Sequence, residues 1–387
     1  MDVSFLVVVV IATALAFDFT NGFHDTANAM ATSIATGALK PRVAVVISGV
    51  LNLVGAFLST EVAKTISSGV VDDDKLSSHS VNGTAIIFAG LIGALLWNLA
   101  TWLLGLPSSS SHALYGGLIG AVWVVIGTAG IHFDAVFSKI ILPALLSPVI
   151  CGVIAGLATF AAYTLTRRAD EQTSKTYFRR GQTVSASLVS LAHGTGDAQK
   201  TMGVITLVLI VNGHQKSGTD PQTWVILSAG LAIGLGTAIG GWRIIRTMGT
   251  RLTDIESPQG FAAESASTAV LLASANLGFA LSTTQVVSGG ILGSGVGRKL
   301  AQVRWGVAGQ MALGWLFTLP VAALVGALAG ELASKGNGGI VIVALVAIVL
   351  VSLIVYRSRK DPVSSTNVND EPGTRHTADT ELAGATA

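Results

Sequence analysis

Charge is what this chain of 387 residues lacks most: Asp, Glu, Lys and Arg make up 11% of it, against roughly 25% in an ordinary soluble domain. Nine of the 44 charged residues crowd into 357–387, so the rest is drier still. Such a body cannot cover itself with a water-facing surface, which excludes a soluble enzyme and a disordered chain. A net charge of +2 leaves no basic field for a nucleic-acid partner. Cysteine is almost absent. Cys151 alone excludes a disulfide scaffold or a cysteine metal site, and its apolar surroundings make it core filler. The opening Met-Asp-Val-Ser lacks a basic n-region, and no small-residue cleavage site follows the first apolar run. The first segment is therefore expected to stay in the mature protein.

What is present is apolar: 51% hydrophobic residues and 45 glycines, suited to helices that pack closely in lipid or break within it. A hydrocarbon core of about 30 Å needs about 20 apolar residues in helix. Spans are read at 3–39 (long and interrupted), 43–60, 84–104, 109–130, 137–166, 183–212, 224–245, 261–281, 285–297, 303–330 and 340–356. The fold expected is an all-α polytopic membrane protein of about eleven segments (ten to twelve), with 285–297 half of a re-entrant hairpin. With the N-terminus outside, the inner loops carry sixteen Lys and Arg, Lys299 among them, against four outside, a strong positive-inside bias. This places the chain in the plasma membrane with a cytoplasmic C-terminus. The polar tail 357–387 reads as disordered.

Two patterns recur at nearly one spacing. Gly22-Phe-His-Asp25-Thr-Ala-Asn28 aligns with Gly194-Thr-Gly-Asp197-Ala-Gln-Lys200, a shift of 172; Ser109-Ser-Ser-His112 through Gly117 aligns with Ser282-Thr-Thr-Gln285 through Gly290, a shift of 173. Two patterns at a shared shift indicate duplication. Five spans separate the copies, and five is odd, so the halves are expected to be inverted, as in secondary transporters with midplane sites at broken helices. The chain divides into a first repeat at 1–166, a basic cytoplasmic loop at 167–182, a second repeat with a final span at 183–356, and the tail at 357–387.

The polar interruptions are the site candidates. Asp18 and Asn21 to Asn28 break an apolar stretch, with Gly22 placed to loosen the helix, and His193, Asp197, Gln199 and Lys200 are their partners. Ionisable groups within a span face an interior or a water-filled cavity. A plainer alternative is that Asp197 and Lys200 merely neutralise each other at i, i+3. The hydroxyls of Ser109, Ser110, Ser111, Ser282, Thr283 and Thr284 precede apolar helical runs. Hydroxyls there are N-caps, and the free N–H groups and positive dipole end make an anion site. The plainer alternative is serines bonding back to their own helices. A small oxyanion near Asp25 or Asp197 would be repelled by about 4 kcal/mol per charge pair at 4 Å and an effective dielectric of 20. A cation between them removes that repulsion, so anion binding requires the coupling ion.

At these residues the chain resembles the inorganic phosphate transporter (PiT) family, over about 5–356. The resemblance implies phosphate import driven by Na+ or H+, two inverted repeats, and often a homodimer. It places phosphate on Ser109, Ser110, Ser111, Ser282, Thr283 and Thr284, and the cation on Asp25, Asn28 and Asp197, which would ligate Na+ in a sodium-coupled protein. Lys200 stands where the first repeat has Asn28, to touch phosphate or replace a second cation. Glu264 is a further coupling candidate, its alternative an interfacial carboxylate. Many Na+-driven members have Asn before the motif Asp. His24 here looks like bacterial members that use H+, often carrying a neutral complex of phosphate with a divalent metal, and histidine titrates near neutral pH. No cofactor is expected beyond the coupling ion, and the lipid bilayer is the one other partner. Competing readings are an intramembrane hydrolase using Ser108 to Ser111 with His112 or His24, a carrier of sulfate or a carboxylate, and a channel. The first lacks a G-x-S-x-G elbow.

Overall fold

The computed structural model describes residues 3–78, 80–298 and 303–369. Among these the structure is helical, with two isolated bridges, Val71 to Ile131 and Thr253 to Val303, and no strand. The first repeat runs α1 (Val3–Ala35), α2 (Pro41–Gly55), α3 (Glu61–Ser68), α4 (Asp73–Ser78), α5 (Ser80–Leu104), α6 (Ser110–Ile126), α7 (Phe133–Ala135) and α8 (Leu142–Thr166). The second runs α9 (Glu171–Val211), α10 (Thr223–Ile239), α11 (Trp242–Arg246), α12 (Ser257–Asn276), α13 (Thr283–Gly297) and α14 (Trp305–Ala333), before a final helix α15 (Asn337–Ser358).

Five described helical stretches are long and apolar enough to cross a membrane, and a sixth counts if α10 and α11 form one bent span; α2 and α6 are shorter apolar helices. The window in α5 is 67% buried, while those containing α8 and α15 are 22% buried. The first is interior and the others turn apolar side chains such as Leu145, Val149 and Leu345 outward, where only lipid suits them.

The repeats interlock. α1 packs on α10 as α9 packs on α2; α6 packs on α14 as α13 packs on α8. Each pairing recurs with the repeats exchanged, as a two-fold relation requires. Glycines permit these approaches symmetrically: a Cβ on Gly22 would strike the Ile233 carbonyl, and one on Gly194 the Asn52 carbonyl. Gly116 and Gly289 do the same against Leu319 and Pro148.

Residues of the loops expected on one side meet one another. At one end Arg42 donates to Ser365 at 3.2 Å, Arg179 to the Thr36 carbonyl at 2.9 Å and Arg246 to the Asn367 carbonyl at 2.6 Å. At the other, Lys64 lies 3.1 Å from Asp220 and Lys75 3.2 Å from Asp72.

Several expectations need correction. The first span is one unbroken helix of 33 residues: Gly22 admits the α10 backbone instead of loosening α1. The loop 167–182 is mostly helix, because Asp170 caps α9 by accepting from the Thr173 N–H at 2.8 Å. Its charges then ride the first turns of a 41-residue helix. The span 224–245 breaks with a 60° bend; Gly240 sits at φ +85° and Gly241 presses on the Phe23 carbonyl. The tail is ordered as far as 369: Val368 is buried, and Arg42, Arg243 and Arg246 hold 358–367. Its remainder, 370–387, and Lys299 lie outside the described residues.

Candidate functional site

Residues 18, 21, 25, 28 and 32 recur at three-, four- and seven-residue steps, so α1 presents Asp18, Asn21, Asp25, Asn28 and Thr32 along one face. α9 supplies His193, Asp197, Lys200 and Thr201 against it. Two hairpins, α5–α6 and α12–α13, bring their hydroxyl-bearing tips to the same place. Ser109 and Ser282 are N-caps, accepting from the backbone N–H of His112 at 3.2 Å and of Gln285 at 3.3 Å. The next residue in each tip turns to a carboxylate. Ser110 donates to Asp25 Oδ2 at 2.7 Å, and Thr283 to Asp197 Oδ1 at 2.7 Å. Ser111 donates across to the Leu281 carbonyl at 3.2 Å, which joins the two tips. Thr284 donates to Asp25 Oδ1 at 3.4 Å and accepts from Asn28 at 3.1 Å. None of these last four hydroxyls bonds back to its own helix, which removes the plainer reading of the serine row.

Around the carboxylates the repeats diverge. His24 Nδ1 lies 2.6 Å from Asp25 Oδ1, and its Nε2 faces the hydroxyls of Thr101 at 3.2 Å and Ser108 at 3.4 Å. Asp197 instead holds Lys200 Nζ at 2.7 Å, so the neutralising pair read from the i, i+3 spacing does form. Asn21 also donates to Asp197, at 3.2 Å. The state of His193 follows from its neighbours. Thr237 donates to the Gly22 carbonyl at 3.1 Å, so it accepts from Asn52 Nδ2 at 2.8 Å, leaving Asn52 Oδ1 to face His193 Nδ1 at 3.0 Å. Nδ1 therefore carries a proton, and Nε2 points between the carboxylates, 3.5 Å from Asp197 and 4.0 Å from Asp25. One ligand atom each from Asp25, His193 and Asp197 lies within 4.8 Å of the others, close enough to share a cation.

Asp25, Asn28, Ser110, Asp197, Lys200, Thr283 and Thr284 are all at most 2% exposed. A pocket of about 10 Å³ beside Asp197, Thr283 and Leu281 is the size of one water molecule. The site in this conformation is closed to both faces.

Glu264 stands apart. Its Oε1 accepts from Thr32 at 2.5 Å and Gln182 at 3.1 Å, and its Oε2 from Ser185 at 2.5 Å. At 1% exposed it is no interfacial carboxylate. The His112 ring makes no hydrogen bond to the serines among the described contacts, whereas His24 does reach Ser108, at 3.4 Å. Gln199 is structural: its Oε1 accepts from the Val62 N–H at 2.7 Å and caps α3. Sequence reasoning did not assign Thr101, Asn52 or Gln182, and it named Ser108 only for the hydrolase reading. Only Asn21 carried a usable signal, because it shares the seven-residue face of Asp25 and Asn28 and is the repeat partner of His193.

The comparisons with known proteins agree with this architecture. A family model described as "Phosphate transporter family" matches residues 21–176 and 161–326. A protein of Mycobacterium tuberculosis described as a "Probable low-affinity inorganic phosphate transporter" is 53% identical over 368 residues, 94% of this chain and 87% of its own length. One from Bacillus subtilis with the same description is 44% identical over 84% of this chain and 96% of its own. Among solved structures, "The sodium-dependent phosphate transporter" superposes with a TM-score of 0.75 at 23% identity, covering 84% of this chain and 97% of that one, which supports the shared fold. On the family model and these relatives together, the chain belongs to the phosphate transporter family.

Proposed function

We propose that the chain is a secondary active transporter that imports inorganic phosphate by proton symport. The observation that carries this reading is the symmetric pair of hydrogen bonds, Ser110 to Asp25 and Thr283 to Asp197. A hydroxyl has one proton to donate. While Asp25 lacks a cation, its carboxylate accepts that hydrogen bond from Ser110. Once a proton or Na+ occupies the carboxylate, the O–H is released to turn to a phosphate oxygen. Anion and cation then bind together because each alone leaves a buried group unpaired.

In this reading phosphate is held by Ser110, Ser111, Thr283 and Thr284, with the N–H groups of the helix tips that Ser109 and Ser282 cap. Among the described contacts Lys200 pairs with Asp197, and in this reading its remaining N–H groups turn to phosphate. Asp25, Asn28 and Asp197 hold the coupling cation, His24 relays protons through its contacts to Asp25, Thr101 and Ser108, and Glu264 serves the path toward the basic end. The basic loops put that end in the cytoplasm and the N-terminus outside. Because the site is closed, transport requires the hairpin tips to part alternately toward each face.

The test is labelled phosphate uptake by Ser110→Ala and Thr283→Ala protein. Each should raise the half-saturating phosphate concentration about tenfold, the effect of roughly 1.4 kcal/mol. Unchanged uptake would overturn the site, and loss of the wild-type signal to excess sulfate would overturn the choice of anion.

A further inference from the structure

Asp18 has no role in the machinery described so far, and its surroundings call for one. Its carboxylate is 0% exposed, and neither oxygen has a hydrogen-bond partner among the described residues. The Thr201 hydroxyl stands near enough to interact with it and has no other partner among the described residues. A buried, unpaired carboxylate is among the most costly groups a fold can keep, the more so within a membrane span. The fold itself does not demand it. The position 172 residues on is Ser190, whose hydroxyl is satisfied by the Ala186 carbonyl at 3.0 Å.

Geometry supplies the reason. Asp18 lies seven residues before Asp25 on the same face of α1, two turns or about 10 Å along the axis. It lies on the side of the site where α9 runs on past Lys200 and Thr201 to Val211, toward the end that carries Lys64 and Asp220. The fixed cation nearby, Lys200, is already engaged by Asp197 at 2.7 Å. Seven residues the other way, Thr32 binds Glu264. Asp18, Asp25 and Glu264 thus form a file of carboxylates at two-turn intervals through the protein.

We infer that Asp18 and Thr201 form an entry site for the coupling cation, which passes from there to the Asp25–Asp197 pair. The inference rests on the symport reading above. A carboxylate and a hydroxyl offer oxygen alone, which suits a proton or an alkali cation. The cation neutralises Asp18 on arrival, and transfer inward restores the charge that draws the next one.

The experiment uses the whole protein in proteoliposomes. Two readouts are taken: exchange of labelled for unlabelled phosphate at equal ion concentrations, and accumulation driven by a pH gradient or, separately, by a Na+ gradient. Asp18→Asn, and Asp18→Ser as the residue of the other repeat, should reduce accumulation at least tenfold more than exchange. Both should raise the cation concentration needed for half-maximal accumulation, and Asp18→Glu should restore it. The gradient whose response is lost identifies the cation. Wild-type accumulation in Asp18→Ser overturns the inference, and so does equal loss of exchange and accumulation in both variants, which would make Asp18 part of the phosphate site or the fold. A wild type that neither exchanges nor accumulates phosphate instead overturns the transport reading itself.

Discussion

Asp25 and Asp197 each accept one hairpin hydroxyl at 2.7 Å, from residues 173 apart in sequence, yet their remaining partners differ in kind. Beside Asp25 stands the His24 imidazole, its Nδ1 2.6 Å away, and one turn on stands Asn28. Beside Asp197 stands Lys200, a permanent cation in the place of that asparagine. Asp18 faces Ser190 across the repeat, and His24 faces Gly196. Duplication preserved what a symmetric anion uses, the capped helix tips and their hydroxyls. It did not preserve the charges. One half carries its own cation, and the other is left to acquire one. The proposed coupling therefore centres on Asp25.

The comparison breaks most visibly under one substitution made in both halves. Asp197→Asn leaves the Lys200 ammonium buried without its counter-charge and should cost about 3–5 kcal/mol of stability. Adding Lys200→Asn should recover most of it, as a double-mutant cycle by thermal unfolding would show. Asp25→Asn leaves no obligatory cation behind, so it should cost much less stability while abolishing accumulation of phosphate. Equal stability losses at the two aspartates would end the claim that only one half carries a built-in cation.

The symmetric features should respond equally. Gly22→Ala and Gly194→Ala each force a helix backbone off its neighbour and should each cost about 1–3 kcal/mol, the usual cost of overpacking. A large difference in apparent melting temperature would show that the repeats do not share this packing. The smallest effect belongs to the far end. There the Thr60 hydroxyl and the Lys64 ammonium hold the Asp220 carboxyl below its ordinary range. A depressed carboxylate stabilises above its unfolded value and loses that contribution as pH falls through the folded one, so this tie weakens only in acid, below about pH 4. Asp220 is largely exposed and Lys64 is 31% exposed, so Asp220→Asn should change stability by ~0.2–1 kcal/mol at neutral pH, and by nothing once the group is protonated.

Much of this arrangement was legible in the residue pattern because it is local or repeated. The capped tips follow from Ser109 and Ser282 preceding apolar runs, and the duplication follows from the shared shift. What was not legible depended on partners far along the chain. Gly22 reads as a weak point in a helix until Ile233 is seen to fill its open side. The polar run that opens α9 reads as a loop because its charges outweigh the cap at Asp170. The orientation of His193 depends on Asn52 and Thr237, 141 and 185 residues across the chain in their respective contacts. The interfacial alternative for Glu264 stayed open in the sequence because the three donors that bury it come from α1 and α9.

The most direct measurement of the central claim is uptake of labelled phosphate into proteoliposomes under an imposed pH gradient and, separately, an imposed Na+ gradient. The account predicts concentrative uptake with the pH gradient alone, lost in Asp25→Asn. Uptake that needs no gradient of either cation, or that proceeds unchanged in Asp25→Asn, would contradict it.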